Sequence, residues 1–552
     1  MKNINYKING LKIVALFLLL AVACSKDEVA QLSLSRQFSP TKFTITNGET
    51  QSTVTWSASL FTISGQVSYA VEVSDNVDDF SNPVYTSTTS DVSVVLTDND
   101  LTIKKNYYAR VKALGQDKTG DSYWVVSSSF KILGEQFLNP VTSDNVIDQS
   151  VRLTWRASPD MTKIILTPAT GAPIEINLTA ADLAATLKQV DNLTPGTTYT
   201  AEIFAGTKTK GTQQFTTVAA LTGNVIDLRG ISVTKKPNIL TDTLPDIQSG
   251  SIVLLKRGSN YTLAAAYKFD RGVTIQSGLD FGTNLAIIKV NGFSFDFVAN
   301  SNIDSIVFKT LMVKGNLSGY AGGTMGYLFN GNSAAIVNKI RIDNCTLKIL
   351  RGILRGQAAA PGVQVTNYFV NNCVMDSIRE YGIATTSGGC VFKNISITNS
   401  TLYRGRRLIT FGVVGSQSIT INNSTFSEVP AGVGAAGSPN YLIDVGGTGS
   451  TFTSTIKISN SIFGWPWNPE PSTTPAGTLI NGIRAAPATV SGVAVTNTYN
   501  TSDFTFNASP IAGFTSYSGT TLALFTDPAN GTFKFKDSNF IGKGSAGDPR
   551  WR

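Results

Sequence analysis

Histidine is missing altogether from the 552 residues. That removes imidazole as a general base, as a metal ligand and as the activator of a serine nucleophile. Cysteine is nearly as scarce, with 4 copies and no Cys-x-x-Cys spacing, which argues against a zinc site or a disulfide framework. Acidic residues are thin where basic ones are dense: from Lys339 to Arg407 there are 3 against 10. No Asp pair recurs at a fixed spacing, so the two positioned carboxylates of an inverting glycoside hydrolase are not in view. The apolar run from Ile13 to Leu20 is too short to span a membrane as a helix.

What is present is a repeat. Alternating aliphatics, an Asn and a small residue recur as IRIDNCTL from Ile340, YFVNNCVM from Tyr368, ISITNSTL from Ile395, ITINNSTF from Ile419, IKISNSIF from Ile456 and VAVTNTY from Val493. The Asn positions are Asn344, Asn372, Asn399, Asn423, Asn460 and Asn497, in steps of 28, 27, 24, 37 and 37 residues. Period-2 alternation at this repeat length predicts stacked short parallel strands, each burying its apolar side against the coils above and below. Parity puts the Asn inward at the end of its strand, where it would turn the chain and bond the next Asn in a ladder. A second strand is expected in each coil, among them GYLFNG from Gly326, RGILRG from Arg351, YGIATT from Tyr381 and YLIDVG from Tyr441. The residue after the Asn is Cys, Ser or Thr, which reads as a small side chain in a tight corner rather than as thiol chemistry. Cys345 and Cys373 should stack on adjacent coils, either bridged or as buried free thiols.

Charge divides the chain. From Cys24 to Ala220 the net charge is −5, and from Leu221 onward it is +10. A basic half calls for an anionic partner. No nucleic-acid-binding signature accompanies it, so an acidic polysaccharide is the expected polyanion and nucleic acid is not.

The repeat serves as a ruler. Seven residues after Asn344, Asn372 and Asn399 stand Arg351, Arg379 and Arg406, a predicted column on three consecutive coils. Stacked about 5 Å apart, such charges repel by roughly 1 to 3 kcal/mol per neighbour. Glu380 and Asp376 could offset that, or a bound row of carboxylates, which the Arg fork matches in two-point geometry. Lys348, Arg355, Arg404, Arg407 and Tyr403 lie around the column. The plain alternative is that these are solvated surface residues. Trp465 and Trp467, in a Pro-rich insertion, are either sugar-stacking platforms or a cap on the core.

Two shorter modules precede the repeat. Residues 39–133 read as seven short strands with Trp56 on an early one, and residues 134–219 as a second copy with Trp155. The spacing of Leu101 to Tyr107 and of Leu193 to Tyr199 resembles fibronectin type III domains, and implies that each Tyr makes the corner hydrogen bond of such sandwiches. Ahead of them, Lys2, Lys7 and Lys12, an apolar run and AVAC ending at Cys24 resemble a lipoprotein signal (residues 1–23), with lipid on Cys24 and a tether to residue 38.

The fold class expected is therefore all-β: two fibronectin type III-like β-sandwiches, then a right-handed parallel β-helix over residues 221–552. That helix resembles the pectate-lyase-like superfamily. The ending SNFIGKGSAGDPRWR from Ser538, with Gly547 to Trp551 its most specific part, resembles Bacteroidetes surface lipoproteins that pair such modules (domains of unknown function 4957 and 5123). The resemblance implies outer-membrane location, pectin-like glycans and glycan-uptake proteins as membrane partners. The reading is a monomeric, cofactor-free lipoprotein that binds uronate-containing polysaccharide. The alternatives are a polysaccharide lyase with an Arg base, in which Ca²⁺ would enter and Asp376 with Glu380 is the close acidic pair, and a structural or adhesive surface protein.

Overall fold

The computed structural model describes residues 35–62, 66–115, 120–316, 325–412, 417–431, 440–445, 456–465, 480–485 and 492–552. The chain divides into two compact units, one ending at Val218 and the other beginning at Ala219.

The first unit holds two antiparallel sandwiches of fibronectin type III type. In the first, a three-stranded sheet (Thr41–Asn47, Gln51–Ser57, Ser93–Thr97) faces a four-stranded one (Tyr69–Ser74, Tyr85–Thr89, Tyr108–Ala113, Val125–Val126). Alternation decides the inner face: Val54, Trp56, Val71, Val73, Ala109 and Val111 are all buried. The second sandwich packs Leu153, Trp155, Ile164, Leu166, Ala201 and Ile203 in the same way. Both corner tyrosines do what their spacing implied. The Tyr107 hydroxyl accepts from the Thr102 amide at 3.1 Å, and that of Tyr199 from the Thr194 amide at 2.9 Å.

The second unit is a parallel β-helix of three sheets with 10, 10 and 9 strands. In one coil, Ile336–Asp343 belongs to the first sheet, Thr346–Leu350 to the second and Gly352–Gly356 to the third. Each strand pairs in parallel with its counterpart one coil away. The repeated segment is thus not one strand but two, with the Asn as the corner between them. Inside, one row runs Phe308, Ile342, Val370, Ile397, Ile421 and Ile458, all fully buried. Burial is worth about 1.5–3 kcal/mol for each such side chain. At the N-terminal end a short helix, Ile239–Thr243, and the turn Leu244–Asp246 add Leu240 and Leu244 to this core.

The corner overturns one expectation. All six repeat Asn residues adopt left-handed backbone, with φ between 45 and 53°. Asn tolerates this conformation better than other non-Gly residues. The left-handed residue resets the alternation, so the Asn side chains sit at or near the surface and the following residue points inward. Cys345, Cys373, Ser400, Ser424, Ser461 and Thr498 are accordingly at most 2% exposed. The inward row carries its own bonds. Ser400 Oγ accepts from the Cys373 amide at 3.0 Å, Ser424 Oγ from the Ser400 amide at 3.3 Å and Ser461 Oγ from the Ser424 amide at 3.2 Å. The outer Asn ladder is broken: Asn372 donates to Asn344 and Asn497 to Asn460, whereas Asn399 donates to Asn371 and Asn460 to Asn422. Cys345, Cys373 and Cys390 are free and buried, and burial pushes the Cys373 thiol well above its ordinary pKa.

After the last coil the chain returns along the outside of the second sheet. Leu524, Phe525, Phe533 and Phe540 form a satellite core with Tyr403, Ile462 and Tyr499. The final residues then bind the Asn row. Arg550 reaches Asn372, Arg552 reaches Asn423, the Gly547 amide donates to the Asn460 carbonyl and Asn497 donates to Ser545.

Candidate functional site

The predicted Arg column exists as a register. Leu350, Ile378 and Gly405 are stacked Cα partners on the second sheet, and Arg351, Arg379 and Arg406 follow them at the corner toward the third sheet. The Arg379 amide donates to the Leu350 carbonyl and the Arg406 amide to that of Ile378, at 2.8 and 2.9 Å. The residue before each stacked position is left-handed: Ile349, Ser377 and Arg404, with φ of 57–59°. For β-branched Ile349 this is real backbone strain. The strained turn keeps Leu350 and Ile378 buried at the stacked position and leaves the Arg that follows at the same place on each coil.

Around Arg351 the charge is partly matched. Its Nε lies 3.4 Å from Glu380 Oε2, and its guanidinium sits 5.2 and 5.3 Å from the rings of Tyr327 and Tyr381. Arg355 enters from the third sheet. Its guanidinium lies 4.0 Å over the Tyr381 ring and 5.6 Å from that of Tyr327, and Nη1 donates to the Tyr327 hydroxyl at 3.1 Å. The two rings are 5.4 Å apart. Burial pushes the Tyr327 hydroxyl up to about 12, against the pull of Arg355 and Arg351, so it stays neutral at physiological pH. Arg355 Nε is buried without a hydrogen-bond partner among the described residues. Two guanidinia, two aromatic rings and one carboxylate therefore cluster at this corner, with Tyr327 itself only 6% exposed beneath the guanidinia, whose forks can pair with an anion.

The other predicted residues divide. Arg406 is exposed and Arg407 half-buried beside the column. Lys348 is half-buried on the second sheet, where it stacks on Asp376. Arg404 is bound to Asp376, with Nε at 2.8 Å and Nη2 at 2.5 Å. Tyr403 is 4% exposed and packs on Phe533, so the returning chain takes it away from any ligand. Trp465 is half-buried, its amide donating to Thr521 Oγ1 at 2.8 Å and its carbonyl accepting from the Glu428 amide at 2.7 Å. Trp467 and Cys24 lie outside the described residues. Among the described residues no group of three or more Cys, Asp or Glu could hold a metal ion.

Tyr327 and Tyr381 escaped the sequence reading as site residues. Tyr327 is second in the expected strand GYLFNG and Tyr381 first in YGIATT, and a Tyr near the start of both was the available signal. Counting from the Asn could not link them to Arg355, because the corners between the sheets differ in length.

Residues 259–405 match the family described as a domain of unknown function, DUF4957, and residues 419–551 match another, DUF5123. No curated protein matches the chain. Among solved structures, the chicken CNTN1 FN1–FN3 domains are similar over 34% of this chain and 68% of that one, at 14% identity and a TM-score of 0.16. A segment of two fibronectin type III domains from chicken tenascin is similar over 32% and 97%, at 12% identity and a TM-score of 0.17.

Proposed function

We propose that the protein is a lipid-anchored surface protein of the outer membrane that binds acidic, uronate-containing polysaccharide such as homogalacturonan on a pectate-lyase-like helix. The observation that carries this reading is the column: three consecutive coils deliver Arg351, Arg379 and Arg406 at one register, with Arg355 and two tyrosine rings beside it. A polymer of carboxylates matches such a row of forks, and the basic charge of this half raises its local concentration. Lipid on Cys24 would tether the protein, with the acidic sandwiches as spacers and glycan-uptake proteins as membrane neighbours.

Mutating Arg351, Arg379 and Arg406 together to Ala should abolish retention in a polygalacturonate affinity gel. Unchanged mobility of the triple variant overturns the reading. Ultraviolet absorbance of unsaturated product in the same incubations, with and without Ca²⁺, separates binding from β-elimination. Incorporation of labelled fatty acid, lost in Cys24→Ala, tests the anchor.

A further inference from the structure

The Tyr–Arg arrangement occurs twice. On the third sheet Tyr327, Leu328, Phe329 and Asn330 are followed one coil on by Arg355, whose Cα partner is Asn330. Further along, Tyr441, Leu442, Ile443 and Asp444 are followed one coil on by Arg484, whose Cα partner is Asp444. In both stations the Arg stands over the Tyr of the preceding coil, at 5.6 Å for Arg355 on Tyr327 and 5.1 Å for Arg484 on Tyr441. The two belong to one row: Asn330, Arg355, Thr385, Thr410, Asp444 and Arg484 are successive Cα partners. At one strand spacing per coil, the stations lie about 19 Å apart along the helix axis.

They differ first in the residue beneath the Arg, and the first station also holds Arg351, Tyr381 and Glu380. Arg484 is held by Asp444 through two bonds, Nε to Oδ1 at 2.8 Å and Nη2 to Oδ2 at 2.6 Å. The equivalent residue of the first station is Asn330, which carries no charge. There two guanidinia face one carboxylate, Glu380, so among the described residues the first station carries net positive charge and the second is balanced. Half of the Arg484 side chain remains exposed, at 51%. A ring face beside a matched carboxylate–guanidinium pair offers stacking, donors and acceptors to sugar hydroxyls, and no net positive charge to hold a carboxylate.

We infer that the bound polysaccharide lies along the third sheet parallel to the helix axis and is mixed, with a uronate at the Tyr327–Arg355 station and a neutral sugar at the Tyr441–Asp444–Arg484 station. This rests on the acidic-polysaccharide reading and adds to it the direction of the chain and its composition.

The test compares two probes by titration calorimetry: oligogalacturonate, and an oligosaccharide of equal length alternating galacturonate with rhamnose. The wild type should prefer the alternating probe. Asp444→Asn, which releases the Arg484 guanidinium from its carboxylate, should strengthen oligogalacturonate binding about fivefold. Tyr441→Ala should weaken the alternating probe more than oligogalacturonate. Thermal melts matched to wild type guard against misfolding. Equal wild-type affinity for both probes, or Asp444→Asn without gain for oligogalacturonate, overturns the inference while leaving the acidic-polysaccharide reading in place. Failure of the wild type to bind either probe overturns both.

Discussion

Arg550 and Asn372 stand 178 residues apart, and one nitrogen of Arg550 donates to both oxygens of Asn372, the main-chain one at 2.9 Å and the side-chain one at 2.6 Å. The end of the chain is thereby fastened to the corner of a coil made long before it. Neighbouring bonds strengthen the fastening. Asp548 is 1% exposed, pairs with Arg550 at 2.9 Å and accepts from Thr401 at 2.8 Å, and Trp551 Nε1 donates to the same Thr401 hydroxyl.

Removing this fastening should destabilise the helix unit. Arg550→Ala strips Asp548 of its cation and Asn372 of its donor, and should cost about 2 kcal/mol. Deleting residues 547–552 should cost more, since it also uncovers the satellite core. Urea unfolding of the full chain reads both. A midpoint unmoved by the deletion would show that the ending is only draped on the surface.

Ser400 shows why a small polar side chain sits behind each corner Asn. Its Oγ accepts from the Cys373 amide at 3.0 Å and donates to the Thr398 carbonyl at 2.6 Å. Ser400→Ala leaves both groups buried without that partner, and should cost about 2 kcal/mol in denaturant unfolding. Ser400→Cys should cost clearly less, because Cys345 and Cys373 already fill the same position in the two preceding coils. Equal losses for the two variants would contradict this.

Glu428 carries a pH dependence with a definite sign. Burial raises its pKa above the ordinary 4.5, outweighing the Arg404 charge, and Oε2 is buried without a hydrogen-bond partner among the described residues. A raised folded-state pKa means stability that is present at low pH and lost as pH rises through that pKa. Glu428→Gln should therefore stabilise the protein by about 1 kcal/mol at neutral pH. The gain should shrink on acidification and vanish below the unfolded-state pKa. Melting curves of the two proteins at several pH values measure it, and a constant difference across pH would refute the assignment.

Much of the architecture could be read directly from the residues. The alternation of Ile340 and Ile342 with Arg341 and Asp343 marks a strand with one buried side, and six copies mark its stacking. The corner tyrosines were legible because Leu101 with Tyr107, and Leu193 with Tyr199, act within one local turn. The Arg column was legible for the same reason: seven residues from Asn to Arg cross one strand of nearly constant length. Beyond that strand the ruler failed. The connections to the third sheet are of unequal length on adjacent coils, long from Lys314 to Tyr327 but a single residue from Leu350 to Gly352, and longer from Phe463 to Ile480 than from Ser427 to Asn440, so no count could bring Tyr327 beneath Arg355 or Tyr441 beneath Arg484.

By itself, the sequence determined the period, the buried side of each strand and the excess of guanidinium, since these depend on side-chain chemistry repeated at short range. Only the tertiary structure decided where the Asn points, because a left-handed φ near 50° breaks the parity that counting assumes. It also decided that Tyr403 is spent on packing, and that Arg484 has the carboxylate of Asp444 as its strand partner where Arg355 has the uncharged Asn330. Those outcomes depend on which coil lies above and on what folds back from 130 residues away. Both are contacts between residues that the chain itself keeps far apart.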